Sequence, residues 1–485
     1  MPSFRPVHAR RPLRTLIALA VAAGAWAIAP VAARTAVAST ADGPAAAVSG
    51  PVTTGTIIEP AAVTTYDLAQ YGYVEHEYFV SGTATSYRPT APLGRDGKWS
   101  VAAASTAPYR TRIIVRAPAD PKRFNGTVLV EWLNVSVVEA APDWIYMNPD
   151  LMKQGYAWVG VSAQAFGVDG GQALLATSAS GGLVRAEPAR YGSLEHPGDQ
   201  YSYDIFSQVA RALRGGGAMG GLHPRHLIAV GESQSAIYLT SYLDAVAPRA
   251  RAFDGYFVHS RGGSPAPLTG TGLFGGAVLL GTRIRDDLTV PVLVFETETD
   301  LGPLLHYGPA RQPDNAHLRV WEVAGTAHAD AYQVGTVTSL LGCTAPINDG
   351  PEHFVISAAL SDLTRWVGGG APPPTPAPLR LTRPGSTTLV RDDLGNALGG
   401  VRTPAVDTPV ATLSGAAPAS TATICALFGS ATPFDATTLV RLYHDKAGYL
   451  ADFERSLAGA ISRGYLLAAD RGALLAQARA VPFPS

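Results

Sequence analysis

Residues 227–239 read LIAVGESQSAIYL, and this stretch indicates a buried strand, a tight turn and then a helix. A turn of the form G-x-S-x-G presents its central serine as a nucleophile, because small residues two before and two after it let the strand and the helix approach. Gly231 fits that pattern, and Ser235 replaces the second glycine with another small residue. The alternative is that Ser233 only caps the helix that begins at Gln234.

Length and composition limit the classes of function. The chain has 485 residues, of which 47% are hydrophobic and 15% charged, so it is typical of a globular protein with one large or two modest cores. The formal net charge of -1 leaves no basic surplus to neutralise a phosphate backbone. We therefore expect no nucleic-acid partner and favour a small neutral or mixed-polarity substrate.

The N-terminus is typical of an export signal. Residues 1–38 carry arginines, an apolar stretch over 16–29 and a small-residue series ending at Ala38, with cleavage expected after Ala38 or Ala33. The segment ARRPLR also fits a twin-arginine signal, so both export routes stay open. The apolar stretch is too short to span a bilayer and no later one is long enough, so we expect a soluble, secreted or extracytoplasmic mature protein without a membrane span.

The remaining chain predicts an α/β fold. After a flexible lead over 39–64, two segments rich in β-branched and aromatic residues, 72–88 and 107–118, predict antiparallel strands. Short apolar runs then alternate with helices predicted over 201–214 and 234–246, as in a mostly parallel, doubly wound sheet covered on both faces. The runs lie at 126–133, 155–163, 226–233, 253–260, 290–298 and 318–325.

The C-terminal part begins with a Pro-rich stretch over 368–385 and ends in a helical tail over 436–480. Cys343 and Cys425 are the two cysteines of the chain. In an oxidising compartment they would form one disulfide, which would fasten this part to the sheet; the alternative is two buried free thiols. We expect residues 65–485 to form a single domain with a C-terminal extension.

A serine nucleophile needs a histidine base and a carboxylate, which follow it in the order serine, acid, histidine in this kind of fold. The strand over 290–298 leads to Asp300, and the strand over 318–325 leads to His328. Asp300 is the preferred acid because of its distance from the strand. Glu298 is the alternative, since it points to the same side.

An ester carbonyl under attack also needs two N–H donors for its oxygen. One is predicted to be the backbone N–H of Gln234, and the other that of Leu133, Asn134 or Val135, in the loop after the strand over 126–133. The side chain of Asn134 is a further candidate. Its alternative reading is the glycosylation sequon NVS.

Several other residues are candidates for the walls of the substrate pocket. Leu133, His259, Arg261 and Tyr203 lie next to the predicted site elements, although Tyr203 could pack a helix and Arg261 could be a solvated loop residue. The long Gly-rich segments 166–198 and 262–287 are candidate lids. The sequence AHAD over 327–330 has no partner ligands at metal spacing, so we predict neither a metal nor another cofactor.

Six motifs of the chain form an ordered set: GTVLVEWLNVS (126–136), HPGDQYSYDIFSQVARALR (196–214), GESQSA (231–236), VFETETD (294–300), AGTAHAD (324–330) and CTAPINDGP (343–351). Together they resemble one family of large secreted bacterial hydrolases, known as "alpha/beta hydrolase domain" proteins. The resemblance runs from Gly55 to the C-terminus and implies the α/β-hydrolase fold, with Ser233, the acid and His328 as the catalytic residues. It also implies that the region after Pro374 belongs to the family unit, but it implies no substrate.

These observations predict a secreted serine hydrolase that acts on small carboxylic esters through an acyl-enzyme intermediate. The same triad would also serve an amidase, a lactonase or an acyltransferase. A secreted binding protein on a hydrolase scaffold, without catalysis, is the alternative of a different class. Acyl chain length and oligomeric state are not indicated by the sequence.

Overall fold

The computed structural model describes residues 43–61, 67–172, 174, 179–270, 279–335, 342–343, 346–418 and 423–484. The predicted signal peptide and residues 39–42 and 62–64 of the predicted lead lie outside them. So do residues 173, 175–178 and 271–278 of the two candidate lids.

A central sheet of nine strands runs through the described residues. The strands are β1 Ala47–Ser49, β2 Tyr73–Pro89, β3 Val101–Pro118, β4 Thr127–Trp132, β5 Ala157–Val161, β6 His226–Glu232, β7 Gly255–His259, β8 Val292–Glu296 and β9 Leu318–Glu322. Their spatial order is β1-β2-β3-β5-β4-β6-β7-β8-β9.

The first three strands are antiparallel, and the pairs from β5 to β9 are parallel. Strands β4 to β8 are buried almost throughout, as expected for strands that are covered on both faces. The prediction of a mostly parallel sheet with an antiparallel start is therefore confirmed. Part of the predicted lead is also structured, since β1 pairs with β2 at the edge of the sheet.

Helices cover both faces of the sheet. The longer helices are α1 Pro142–Gln154, α2 Ser202–Arg214, α3 Gln234–Ser241, α4 Glu352–Val367, α5 Ala436–Tyr443, α6 Lys446–Ser462 and α7 Arg471–Ala480. Helices α2 and α3 pack their aromatic and aliphatic side chains on one face, and α1, α4 and the three C-terminal helices α5 to α7 pack on the other. Helix α3 continues into a π-helical turn over Tyr242–Val246 and a short helix over Ala247–Ala250.

Shorter elements fill the connections. Five short helices span Ala165–Asp169, Gly182–Ala186, Pro188–Tyr191, Ala331–Val334 and Pro404–Asp407 within the described ranges. The first three lie in or beside the candidate lid over 166–198, which therefore contains regular structure. No helix in the described part of the chain is long and apolar enough to cross a membrane.

The C-terminal part packs directly on the last strand of the sheet. Val401 donates its N–H to the carbonyl of Glu322 at the end of β9 and accepts the N–H of Ala324. A small antiparallel pair, β10 Ala411–Ser414 and β11 Ser430–Pro433, follows. A disulfide joins Cys343 to Cys425, with Cα atoms 5.6 Å apart. The described residues from 43 onward belong to one compact unit.

Candidate active site

The turn between β6 and α3 holds Ser233 in a backbone conformation that few residues adopt. Ser233 has φ +58° and ψ -121°, and helix α3 begins at the next residue. A serine at positive φ is strained, and such strain is found mainly at functional sites. A Cβ added at Gly231 would lie 3.2 Å from the Cβ of Ser235, so both positions of the motif need small residues. The strand and the helix therefore meet at this serine.

His328 lies in the turn after β9 and contacts both other members of the predicted triad. Its Nε2 is 2.7 Å from the Ser233 hydroxyl oxygen, and its Nδ1 is 2.7 Å from Asp300 Oδ1. The parallel strands β6, β8 and β9 end at the same edge of the sheet, which brings these distant residues together. The structure thus places Ser233, His328 and Asp300 in one hydrogen-bonded chain.

Asp300 is fixed by groups that the sequence did not indicate. Its second carboxylate oxygen accepts hydrogen bonds from the N–H of Thr297 at 2.6 Å, the hydroxyl of Thr297 at 2.8 Å and the hydroxyl of Ser260 at 2.8 Å. Ser260 follows β7 and has φ +55°, a second strained serine at this edge of the sheet. Donors on this oxygen favour the ionised form and hold the carboxylate in line with His328.

His328 and Asp300 each favour the charged form of the other. Burial alone would lower the pKa of His328, but the neighbouring carboxylates of Asp300 and Glu232 raise the pKa above its usual 6.5. Burial likewise opposes ionisation of Asp300, yet His328 and the donors of Thr297 lower the pKa of this carboxyl. Asp300 is therefore ionised in the pH range in which His328 could act as a base.

Glu298, the alternative acid, is hydrogen-bonded to a different part of the molecule. One of its oxygens accepts the N–H of Gly325 at 2.7 Å, and the other binds Arg391 at 2.8 Å and the N–H of Gly415 at 3.1 Å. Burial raises the pKa of Glu298, and Arg391 opposes that rise. These contacts join the loop after β8 to the C-terminal part, whereas Asp300 binds His328.

The candidate oxyanion donors differ in how strongly they are already hydrogen-bonded. The backbone N–H of Leu133 donates to a carbonyl of β5 at 3.2 Å, and that of Asn134 to a carbonyl at the end of its own loop at 2.9 Å. The amide of Asn134 donates to the side chain and the carbonyl of Glu232. Val135 N–H has only a long bond of 3.4 Å to Gln234 Oε1, and the N–H of Gln234 is at a helix start, where no intrahelical acceptor exists. Val135 and Gln234 are therefore the donors best suited to an oxyanion.

His259 lies behind the nucleophile. Its carbonyl accepts the N–H of Ser233 at 2.9 Å, and its buried ring lies 2.9 Å from Asp143 Oδ1 and 3.2 Å from Glu352 Oε1. The ring is fully buried, so His259 packs against the nucleophile turn and does not line an open pocket wall.

Arg261 and Tyr203 also belong to the core. Arg261 is 1% exposed and its guanidinium donates to the carbonyls of Gly262 and Thr282. Tyr203 is fully buried, stacks on Tyr238 with ring centroids 5.9 Å apart and donates its hydroxyl to the carbonyl of Pro267. Both side chains are thus engaged in packing and internal hydrogen bonds.

The structure also brings Glu232 to the site, which sequence reasoning missed. Its Oε1 lies 3.3 Å from Nε2 of His328. The signal was available, because Glu232 directly precedes the candidate nucleophile. In the described part of the chain, no group of three or more His, Cys, Asp and Glu residues is arranged to hold a metal ion.

The parallel sheet, with a strained serine turn after a central strand and a histidine after the last strand, defines the class of α/β-hydrolase folds. The chain belongs to the alpha/beta hydrolase domain family, whose model matches residues 48–476. The match begins inside the predicted lead and includes most of the C-terminal extension. No curated protein matches the chain.

Three of the solved structures that match the chain have low sequence identity and low TM-scores. A serine hydrolase without a lid from Xanthomonas campestris is 12% identical and covers 54% of this chain and 89% of its own, with a TM-score of 0.27. An esterase from Rhizomucor miehei is 12% identical, and the match covers 60% of this chain and 85% of the esterase, with a TM-score of 0.30. Est1E from Butyrivibrio proteoclasticus is 9% identical, and the match covers 58% of this chain and 99% of Est1E, with a TM-score of 0.31.

Proposed function

We propose that this protein is an extracytoplasmic serine hydrolase that cleaves small carboxylic esters with Ser233, His328 and Asp300. The observation that carries the proposal is the chain of two 2.7 Å hydrogen bonds from the Ser233 hydroxyl through His328 to Asp300, with the serine on a strained turn. A serine that only caps a helix would need no histidine and carboxylate in line with it.

In the proposed acylation step, the Ser233 oxygen attacks the ester carbonyl carbon while His328 Nε2 takes the hydroxyl proton. Asp300 holds the proton on Nδ1, so that Nε2 is free to accept. The carbonyl oxygen becomes an anion that the N–H groups of Gln234 and Val135 face. Collapse of this intermediate expels the alcohol, which receives the proton from His328 and leaves Ser233 acylated.

In the second step, water replaces the alcohol. His328 takes a proton from the water as its oxygen attacks the acyl carbon, and the tetrahedral intermediate collapses to release the acid. The proton on His328 then returns to the Ser233 oxygen. One ester and one water are consumed in each cycle, one alcohol and one acid are released, and the triad is restored.

Two features support the extracytoplasmic location. The first 38 residues have the composition of an export signal. The disulfide between Cys343 and Cys425 is of a kind that persists in oxidising compartments.

A series of nitrophenyl esters from acetate to palmitate, tested on the mature protein and on Ser233→Ala, tests the function. We expect the wild type to hydrolyse part of the series, which also defines the acyl preference. Ser233→Ala should lose about 10³-fold or more in kcat, because no other group can form the acyl enzyme. A folded wild type that hydrolyses none of these esters, or a serine variant that keeps the activity, would contradict the proposal.

A further inference from the structure

We propose that Glu232 is a positioning residue for the catalytic histidine, a second carboxylate that stabilises the positive charge on His328 while the proton of Ser233 is on Nε2. This inference rests on the proposed function, because it assigns a role in the same proton transfer. It adds a fourth side chain to the three that the fold implies.

Each nitrogen of the His328 ring has a carboxylate oxygen nearby. Asp300 Oδ1 lies 2.7 Å from Nδ1, and Glu232 Oε1 lies 3.3 Å from Nε2, the other ring nitrogen. Nε2 is also the atom that lies 2.7 Å from the Ser233 hydroxyl. A carboxylate therefore stands beside each ring nitrogen, and that of Glu232 stands beside the nitrogen that receives the proton.

Glu232 is held in this position by the amide of Asn134. The Asn134 Nδ2 donates to Glu232 Oε2 at 3.2 Å and to the backbone carbonyl of the same residue at 3.1 Å. The Glu232 side chain is 5% exposed, so solvent screens it little. Two bonds from one amide fix both ends of the glutamate and leave Oε1 directed at the histidine.

Burial, modified by the surrounding charges, brings the pKa of this carboxyl into the range in which a histidine titrates. Burial raises the pKa of Glu232 to about 7, with the charges of His328 and His259 opposing the rise and those of Asp143 and Asp300 adding to it. The carboxyl is therefore partly ionised near neutral pH and more so as pH rises.

The contribution differs between ground state and transition state. In the ground state, Nε2 is neutral and accepts the serine proton, so a nearby carboxylate offers it little. When that proton moves to Nε2, the ring becomes cationic and the carboxylate at 3.3 Å attracts it. An interaction that strengthens only in the transition state raises kcat and leaves KM unchanged. The proton passes from Ser233 to Nε2 and on to the alcohol, and Glu232 neither gains nor loses one.

Substitution by glutamine removes the charge and keeps an oxygen for Asn134. In Glu232→Gln the pKa of His328 should fall, because a negative charge beside the ring is lost, so the acidic limb of kcat/KM should move down by about one pH unit. We expect kcat to fall about tenfold with KM unchanged. Glu232→Asp keeps the negative charge but moves it one methylene away from the ring. The acidic limb of its kcat/KM profile and its kcat should therefore lie between those of the wild type and those of Glu232→Gln.

Glu322→Gln is the matched control. Glu322 ends β9, is 2% exposed and binds Arg311 and the N–H of Leu379, so the same change removes a buried carboxylate that faces other partners. The folded control should keep the acidic limb of the wild type.

The experiment follows the mature protein in two ways, by ester hydrolysis across pH and by proton NMR titration of the His328 ring. The NMR titration needs no activity, so an inactive wild type would contradict the proposed function while the titration still tests the glutamate. A lower His328 pKa in Glu232→Gln, with the intermediate value in Glu232→Asp, supports the inference. An unchanged His328 pKa in Glu232→Gln overturns the inference. It is also overturned if Glu232→Gln loses rate without a shift of the acidic limb of kcat/KM and Glu232→Asp does not recover the rate. If Glu232→Gln does not fold, Glu232→Asp provides the test: a lowered His328 pKa supports the inference, and an unchanged one overturns it.

Discussion

Two regions of the molecule contribute differently to the site. The parallel-strand region, β4 to His328, carries every reacting group of the proposed mechanism. The C-terminal part beyond residue 375 carries none, yet it holds the loops that carry the acid and the histidine. The carbonyl of Leu427 accepts the N–H of Ala329 at 3.1 Å, and the carbonyl of Gly415 accepts the hydroxyl of Thr299 at 2.7 Å. The chemistry and its support thus come from different stretches of chain.

This division predicts that the two acidic residues after β8 respond differently to the same change. Asp300→Asn should lower kcat by about 10³- to 10⁴-fold, because the amide no longer holds the correct tautomer of His328 or stabilises its cation. The unfolding free energy should change much less than the rate. Steady-state kinetics and urea unfolding of the same preparation measure both, and an Asp300→Asn protein that keeps near wild-type kcat would contradict the assignment.

The disulfide should matter for stability and little for chemistry. Replacing both Cys343 and Cys425 by serine opens a bridge with a sequence separation of 82, and we expect a loss of about 2–5 kcal/mol in unfolding free energy. At temperatures where the variant is folded, kcat should remain close to that of the wild type. Urea unfolding and esterase assays over a temperature range test this, and a folded double variant without activity would place the bridge in the chemistry.

Glu298→Gln provides the matched amide substitution in the supporting region. Glutamine leaves Arg391 without its charged partner and weakens the acceptor for Gly325 and Gly415, so we expect a loss of roughly 1–3 kcal/mol in stability. The kcat of the folded protein should stay near wild type. A loss of kcat as large as that of Asp300→Asn would mean that Glu298 shares the role of triad acid.

Ser235 should produce the smallest effect, although it lies two residues from the nucleophile. Its hydroxyl is buried and finds no hydrogen-bond partner among the described residues. Ser235→Ala should therefore raise the unfolding free energy by about 0.5–1 kcal/mol, through helix propensity and the loss of an unpaired hydroxyl. Ser235→Gly should lower it by about 0.5 kcal/mol. Thermal unfolding measures both, and both variants should keep the activity; a strong loss in either would give the hydroxyl a role in catalysis.

The proximity of the three residues of the proposed triad could be predicted from sequence, because it follows from the geometry of a parallel sheet. Strands that run in one direction end at one edge, so Ser233, Asp300 and His328 could be brought together from their positions after three apolar runs. The antiparallel start could be predicted from composition, because two segments are rich in β-branched and aromatic residues.

The support could not be predicted in the same way. Ser260, Arg391 and Leu427 act through single hydrogen bonds from loops without periodicity, and two of the three bonds use partners more than 90 residues apart in the chain. Asn134 was expected at the oxyanion, but its amide binds Glu232, a contact that depends on the orientation of one side chain. Arg261 and Tyr203 were candidates for the pocket, and the packing of the finished core buries them.

Reaction of the mature protein with a fluorophosphonate, followed by peptide mass spectrometry, tests the central claim most directly. The reagent bonds only to an activated serine, so we predict one label on the peptide that carries Ser233 and none on Ser233→Ala with the same thermal unfolding. A folded wild type that stays unlabelled, or a label on another residue, would contradict the assignment of Ser233 as the nucleophile.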